Sequence, residues 1–353
     1  MPGKASPDDR KWPGRAASQE EQKTRQPSVA LYSTESGVFQ AQSNFHTSLM
    51  IDLHSHTDQS DGTDSPAQLV HRAAAIGLEV LGITDHDTLA GHDLAAPVAA
   101  EVGLELVCGV ELSTRPERRP GEKRPPSVHL LAYFLNAPPP AGFRDWLLQQ
   151  QASRRRRNLD LVARLNSLGI DITLEEVQAL GRHLTGRPHF ARILLKKGYV
   201  RTIQEAFDLY LADDAKASVE REEPALVEAV ERVYAAGGLA SLAHPVRLPR
   251  SDRTSLEDLL TQLYAAGLRG LEVYHSEHGP QEIELYLSLA RKFDLVPTGG
   301  SDYHGENKPS IALGTGMDNN LQLSYSLLEQ MRQQNGFKRS SFGGHSSPPA
   351  LRQ

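Results

Sequence analysis

The sequence predicts an α/β fold, a (β/α) barrel interrupted by a helical insertion. Three observations carry this. A helix–glycine–strand unit recurs along the chain, the strands of those units run straight into His or Asp, and residues 141–223 break the rhythm with helical sequence alone. The length of 353 residues suits a barrel with insertions. Hydrophobic residues at 39% and charged residues at 23% allow a sizeable core and exclude wholesale disorder. The single cysteine, Cys108, excludes a disulfide framework and any cysteine-based zinc or iron–sulfur site. No run approaches the roughly 18 apolar residues of a membrane-spanning helix. A net charge of −6 argues against coating nucleic acid by bulk electrostatics.

The elements follow in order. Residues 1–49 are rich in Ser, Gln, Pro and mixed charge, without hydrophobic period. They lack an apolar signal core and contain acidic residues that a transit peptide avoids, so a disordered tail is expected, with Met50 a candidate start. The first part of the barrel spans 50–140, with strands expected at Ile51–His54, Val80–Thr84, Leu106–Glu111 and Val128–Phe134. Before the second of these, Pro66 suits a first helical turn and Gly77 a C-terminal cap. Residues 141–223 form the expected helical, substrate-binding subdomain, with Thr-x-x-Glu capping boxes at Thr173/Glu176 and Thr202/Glu205. Residues 141–200 hold 11 Lys/Arg against 5 Asp/Glu, so positive charge is concentrated there. The barrel resumes over 224–337 with "VERVYAAGGLASLAHP", "LLTQLYAAGLRGLEVYHSEH" and "YLSLARKFDLVPTGGSDYH". Repeated βα units predict parallel strands with helices outside. Residues 338–353 are polar and expected to be loose.

The polar residues at the strand ends carry the chemistry. His54 and His56 lie in "DLHSHT" and Asp61 in "SDG". Asp85 and His86 lie in "TDHD", Glu111 in "GVELS", His129 in "VHLLAY", His244 in "LAHP", and Asp302 and His304 in "GSDYHG". Residues at the carboxyl ends of barrel strands converge on one mouth. Six imidazoles and three carboxylates gathered there need cations to offset them. H-x-H on a strand also puts both rings on one face. A lone H-x-H or Asp–His pair is weak, but four such features at strand ends point to metals. His275 and His278, on a loop after a strand, are candidates for ligand or substrate contact. His71 and His183 sit in helical runs, His92 on a surface helix, and His46 and His345 in the tails. The whole reads as a cytoplasmic, metal-dependent enzyme.

In this order the motifs resemble those of the PHP (polymerase and histidinol phosphatase) superfamily over about residues 50–335. The resemblance implies a distorted (β/α)7 barrel and three divalent ions, Mn²⁺ favoured with Zn²⁺ or Fe²⁺ compatible. It implies that His54, His56, Glu111 and Asp302 hold one ion. Asp61, His86 and His129 would hold a second, with Glu111 bridging, and His244 with His304 a third. Asp85 would orient a ligand histidine from behind. A hydroxide bridging the ions would attack phosphorus in line, with no protein nucleophile.

The insertion, with "SRRRRN" and "GRPHFAR", resembles the branch containing RNase AM and the nucleoside 3′,5′-bisphosphate phosphatases. That implies hydrolysis of nucleoside 3′,5′-bisphosphates to 5′-monophosphates, or of short 5′-phosphorylated RNA from its 5′ end. Arg154, Arg155 and Arg187 are the candidates to grip a second phosphate, with Ser153, Pro188, His189 and His278 as further substrate contacts. Four consecutive arginines on a helix cannot all face one way, so one or two are expected to touch substrate. Few aromatics lie nearby, which favours a short substrate over a long single strand. Two other readings stay open here, a histidinol-phosphate-type phosphatase and a non-catalytic, metal-stabilised binding module.

Overall fold

Apolar runs build a seven-stranded sheet in the computed structural model, which describes residues 50–117, 125–181, 183–248 and 251–341. All of these lie in one unit, His46–Gln353. The expectations for residues 1–49 lie outside the described residues. The strands are β1 (Met50–Asp52), β2 (Leu78–Ile83), β3 (Glu105–Thr114), β4 (Val128–Phe134), β5 (Leu239–Leu242), β6 (Gly270–His275) and β7 (Val296–Gly300). They pair in sequence order.

One strand corrects the all-parallel expectation. β4 runs antiparallel to both β3 and β5, while the other neighbours are parallel. A parallel return to the sheet needs a crossover, usually a helix, and no helix separates β3 from β4 among the described residues. The consequence is functional. His129 opens β4 rather than ending it, and the reversal brings it to the mouth formed by the carboxyl ends of the other strands.

The sheet nearly closes on itself. Beyond β1 and β7, His54 C=O accepts from Asp302 N–H at 2.8 Å, and His56 N–H donates to Tyr303 C=O at 2.9 Å. Gly300 makes the approach possible, since a Cβ there would sit 2.2 Å from the His54 nitrogen. Asp52 staples the seam by accepting from Ser301 N–H at 2.9 Å, Ser301 Oγ at 2.6 Å and Gly314 N–H at 2.8 Å.

Helices α1 (Pro66–Ala75) and α2 (Ala90–Val102) follow β1 and β2. Ser65 and Gln68 form a reciprocal capping box at the start of α1, Pro66 takes the first turn, and Gly77 follows with φ +79°. Between β4 and β5 the chain forms α3 (Ala141–Ser167), α4 (Leu174–Gln178), α5 (Arg187–Lys196) and α6 (Ile203–Ala206). α6 runs on into a π-helical turn, Phe207–Leu211. The Thr173/Glu176 box is reciprocal, whereas Glu205 turns back to Arg201 N–H, leaving the Thr202 cap one-sided. His183 falls on a bend between α4 and α5 rather than within a helix. Leu161, Leu165, Phe190, Leu194, Leu211 and Ala217 belong to an apolar cluster confined to this segment.

The barrel then resumes with α7 (Leu226–Ala235), α8 (Arg253–Ala266) and α9 (Pro280–Lys292) between strands. A small hairpin, β8 (Ile311–Ala312) with β9 (Gly316–Met317), precedes α10 (Tyr325–Ser341). α10 therefore continues four residues past 337, where loose sequence was expected. Ile51, Val80, Val107, Leu131, Leu239 and Val296 share one buried cluster, which Leu327, Leu328 and Met331 of α10 close. Among the described residues, no helix is long and apolar enough to cross a membrane.

Candidate metal centre and anion-binding cavity

The strand exits place every expected ligand at one mouth. The segment after β1 brings His54, His56 and Asp61, β2 leads to His86, β3 carries Glu111, and β4 opens with His129. β5 leads to His244, and β7 to Asp302 and His304. Two of these backbones are unusual for non-glycine residues, His244 at φ +24° and Asp302 at φ +59°. Such conformations cost of order 1–3 kcal/mol and persist where the surroundings fix them, commonly at functional sites.

Glu111 is the hub. Its Oε2 lies 3.1 Å from His56 Nε2, 3.3 Å from His54 Nε2 and 3.3 Å from His86 Nδ1. Its Oε1 lies 2.8 Å from both His129 Nδ1 and His244 Nε2. Asp302 Oδ1 is 3.5 Å from His54 Nε2 and 3.4 Å from His56 Nε2. Asp61 sits between His86 Nε2 at 3.6 Å, His304 Nε2 at 3.3 Å and His56 Nδ1 at 3.6 Å. Three groups follow whose donor atoms lie within 4.8 Å of one another. These are His54–His56–Glu111–Asp302, His56–Asp61–His86–His304, and His86–Glu111–His129.

The donors fit cations. His54 Nε2, His56 Nε2 and His86 Nδ1 are buried without a hydrogen-bond partner, and all three converge on one carboxylate oxygen. Buried polar atoms are costly when unpaired, and here they gather beside carboxylates within the reach of a shared cation. The charges are strongly coupled. Burial works to raise the Glu111 carboxyl, yet the imidazoles of His129, His86 and His54 outweigh it and hold it well below the carboxylate range. Burial also opposes protonation of His56, but Asp302, Glu111 and Asp61 raise it to about 9. Burial prevails at His86 and His244, pushing each down to about 3.

A cavity of about 350 Å³ runs from Asp61, His86, Glu111, His129, Asp302 and His304 to a wall of arginines. The wall contains Arg115, Arg154, Arg157, Arg187 and Arg221. Arg154 donates to Asp87 Oδ2 and to Ser113 Oγ at 2.8 Å, and Arg221 donates to Asp87 Oδ2 at 2.9 Å. Arg187 pairs with Asp213 at 2.7 Å, and Arg115 with Asp213 at 2.9 Å and Glu223 at 2.6 Å. Arg157 is 7% exposed and has no hydrogen-bond or ion-pair partner among the described residues. Burial, then the like charges of Arg154, Arg187 and Arg221, push it well below the usual arginine range. A guanidinium still keeps its proton, so the wall holds a buried cation that feels Glu223 at a distance but makes no hydrogen bond among the described residues.

Residues 52–218 match the model of the PHP domain. The chain is 35% identical over 253 residues to a 5′-3′ exoribonuclease of Haemophilus influenzae, covering 72% of this chain and 89% of the relative. It is 31% identical over 266 residues to a 3′,5′-nucleoside bisphosphate phosphatase of Chromobacterium violaceum, covering 75% and 90%. The chain belongs to the PHP family. Among solved structures, a protein from Bifidobacterium adolescentis proposed to be a metal-dependent phosphoesterase superposes with a TM-score of 0.69 at 32% identity, covering 80% of this chain and 96% of that one.

Measured against the PHP resemblance, the residues behind the ligands differ from expectation. Asp85 bonds no histidine among the described residues. It accepts from Thr57 N–H at 2.8 Å, Thr57 Oγ1 at 2.6 Å and Ser60 Oγ at 2.6 Å, so it braces the loop that carries His56 and Asp61. Histidine orientation falls instead to Glu272. Its Oε1 accepts from His54 Nδ1–H at 2.8 Å, leaving Nε2 to face the centre, and its Oε2 accepts from His244 N–H at 2.6 Å. Arg247 and Lys308 hold Asp302 Oδ2 at 2.9 and 2.7 Å. His275 Nε2 lies 3.4 Å from the same oxygen. His244 and His304, expected to share an ion, meet different carboxylates, Glu111 and Asp61.

The expected substrate contacts also divide. Arg154, Arg187 and Pro188 line the cavity. Arg155 is exposed and does not, because the inward face of α3 recurs three residues after Arg154, at Arg157. Ser153 Oγ donates to Glu222 C=O at 2.8 Å, outside the cavity wall. His189 Nδ1 accepts from Gly186 N–H at 3.1 Å and closes the first turn of α5. His278 is packed inside, with Nδ1 donating to Val273 C=O at 2.9 Å and its ring against Tyr286.

Proposed function

We propose that this PHP-family chain, a phosphoric ester hydrolase, cleaves the 3′-phosphoester of nucleoside 3′,5′-bisphosphates and of short 5′-phosphorylated RNA. Both substrates present a 5′-phosphate and a scissile 3′-phosphorus one ribose apart, and both would yield a 5′-monophosphate. The observation that carries this is the joining of two unlike ends in one cavity, a His/carboxylate cluster and a guanidinium wall containing Arg157, which is unpaired among the described residues. A volume of about 350 Å³ is in the range of small-ligand sites. The bisphosphate phosphatase and exoribonuclease relatives support the same substrate class.

His54, His56, Glu111 and Asp302 would hold one cation, Glu111 with His129 and His244 a second, and Asp61 with His86 and His304 a third. The thiolate-free donor set favours Mn²⁺, with Zn²⁺ or Fe²⁺ compatible. Bound there, such cations supply Lewis-acid polarisation of phosphoryl oxygen and lower the pKa of water. Glu272 fixes the tautomer of His54, while Arg247 and Lys308 hold Asp302 with its Oδ1 inward. Arg157 and Arg187 bind the 5′-phosphate, which fixes how far the 3′-phosphorus reaches into the cluster. No side chain is required as a covalent nucleophile, and a cytoplasmic setting, where free nucleotides and RNA occur together, belongs to the same proposal.

The test is purified protein with Mn²⁺ or with excess chelator, offered adenosine 3′,5′-bisphosphate, histidinol phosphate and 5′-phosphorylated oligoribonucleotides. Adenosine 5′-monophosphate should accumulate from the first substrate only with metal present. Faster turnover of histidinol phosphate, or full activity in chelator, would overturn the proposal.

A further inference from the structure

Three of the residues lining the cavity are apolar, Pro188, Phe207 and Val219, and the others described there are charged or polar. All three are half-buried, and all belong to the helical insertion. Phe207 and Val219 pack partly against the apolar cluster of that subdomain, which leaves the rest of each side chain to the cavity. The trio sits beside the guanidinium wall. Pro188 follows Arg187 at the start of α5, and Val219 precedes Arg221 by two residues. Arg187 also donates to the carbonyl of Leu211 at 3.3 Å, the last residue of the π-helical turn that Phe207 opens. Ala212 N–H closes that turn by donating to Phe207 C=O at 3.0 Å. Such turns are rare and frequently accompany functional sites.

We propose that Pro188, Phe207 and Val219 form a nucleobase subsite, in which Phe207 is the specificity-determining residue that stacks on the base. The inference rests on the reading of the cavity as a nucleotide site with its second phosphate on the arginines. The phosphates and ribose of such a substrate are matched by charged and polar groups. The flat face of the base is the part that an apolar wall covers. Every base has a π-face, and none of the three side chains has a hydrogen-bonding group with which to read a base edge. The subsite therefore separates substrates that carry a base from phosphorylated sugars that carry none, without selecting among bases. One ring takes one base, which suits a mononucleotide or the first residue of a strand. If Phe207 only completes the subdomain core, its replacement treats both kinds of substrate alike.

The experiment offers the Mn²⁺-loaded enzyme adenosine 3′,5′-bisphosphate and the same ribose bisphosphate with hydrogen in place of adenine. Both phosphates are common to the pair, so their contribution cancels from the ratio of kcat/KM values. Wild type should prefer the adenosine compound by roughly fivefold to a hundredfold, the scale of one base–aromatic stack, and Phe207→Ala should bring the ratio close to one. Phe207→Leu keeps apolar bulk against the core but loses the ring. It should lower the ratio as well, and it serves if F207A is not recovered folded. Calorimetric binding of adenosine 5′-monophosphate and of its base-free counterpart to chelator-treated protein should follow the same order. A wild-type ratio near one, or a ratio that the variants leave unchanged, would overturn the subsite. No Mn²⁺-dependent turnover of either compound would overturn the underlying nucleotide reading, and the subsite with it.

Discussion

Replacing Arg157 should remove the second phosphate's anchor and leave the metal chemistry intact. Charge-assisted hydrogen bonds contribute about 1.5–3 kcal/mol each, so Arg157→Met should lower kcat/KM for a nucleoside bisphosphate by roughly tenfold to a hundredfold. Turnover of p-nitrophenyl phosphate should hardly change. The thermal midpoint should stay level or rise, because Arg157 is buried among like charges with no partner among the described residues. A fall of several degrees would show that Arg157 has a structural role. Glu272→Gln leaves every proposed ligand in place but weakens the brace on His54 Nδ1. It should cost about 10- to 100-fold in metal affinity, read by metal analysis after dialysis against graded chelator. Unchanged affinity would remove Glu272 from the account. The two residues differ in how far sequence exposes them. Arg157 is reachable by phase, since Leu161 and Leu165 fix the buried stripe of α3 and counting back in steps of three and four passes Arg157 and Arg154. Glu272 offers only a lone carboxylate inside the apolar strand "GLEVYH", and its partner lies 218 residues away.

At the scale of elements, local signals hold where they are short-range. Pro66 in the first turn of α1 is one, and the structure adds a Ser65/Gln68 box there, with Ser65 Oγ accepting from Gln68 N–H at 3.3 Å and Gln68 Oε1 from Ser65 N–H at 2.9 Å. Ser65→Ala should cost about 1 kcal/mol and a few degrees of thermal midpoint with no change in kcat/KM. A loss of activity without loss of stability would mean that α1 positions the ligand loop more directly. The direction of β4 is a longer-range matter, but its signal is present. The sequence of 115–127, "RPERRPGEKRPPS", holds four prolines and no apolar period, a composition that argues against the crossover helix a parallel β4 would need. Reading the polar strand-end residues without strand direction places His129 among them, but does not show that it opens its strand and reaches the mouth through the reversal of β4.

For the whole molecule, the cluster makes metal binding a proton exchange. Burial opposes protonation of His54 and His56, but the carboxylates around them raise both, His56 to about 9, which favours the protonated imidazoles in the absence of metal. Ligation needs the neutral imidazole, and a cation must expel those protons. Apparent affinity should therefore climb as pH rises from 6 to 8, by up to about tenfold per unit for each proton displaced. Calorimetric titration with Mn²⁺ in buffers of different ionisation enthalpy would read the protons directly, and a flat pH profile would contradict the coupling. The gathering of these side chains at one mouth was legible because barrel topology brings strand ends together whatever their sequence separation. The partition of His244 and His304 between Glu111 and Asp61 was not, because it depends on side-chain reach across the mouth.

The central claim is that one cavity reads two phosphates at once, and one ratio measures it. On the Mn²⁺-loaded protein, kcat/KM for adenosine 3′,5′-bisphosphate should exceed that for adenosine 3′-monophosphate by at least roughly tenfold, since only the first can occupy the arginine wall. Equal values would mean that the wall contributes nothing to the substrate, and the account would fail.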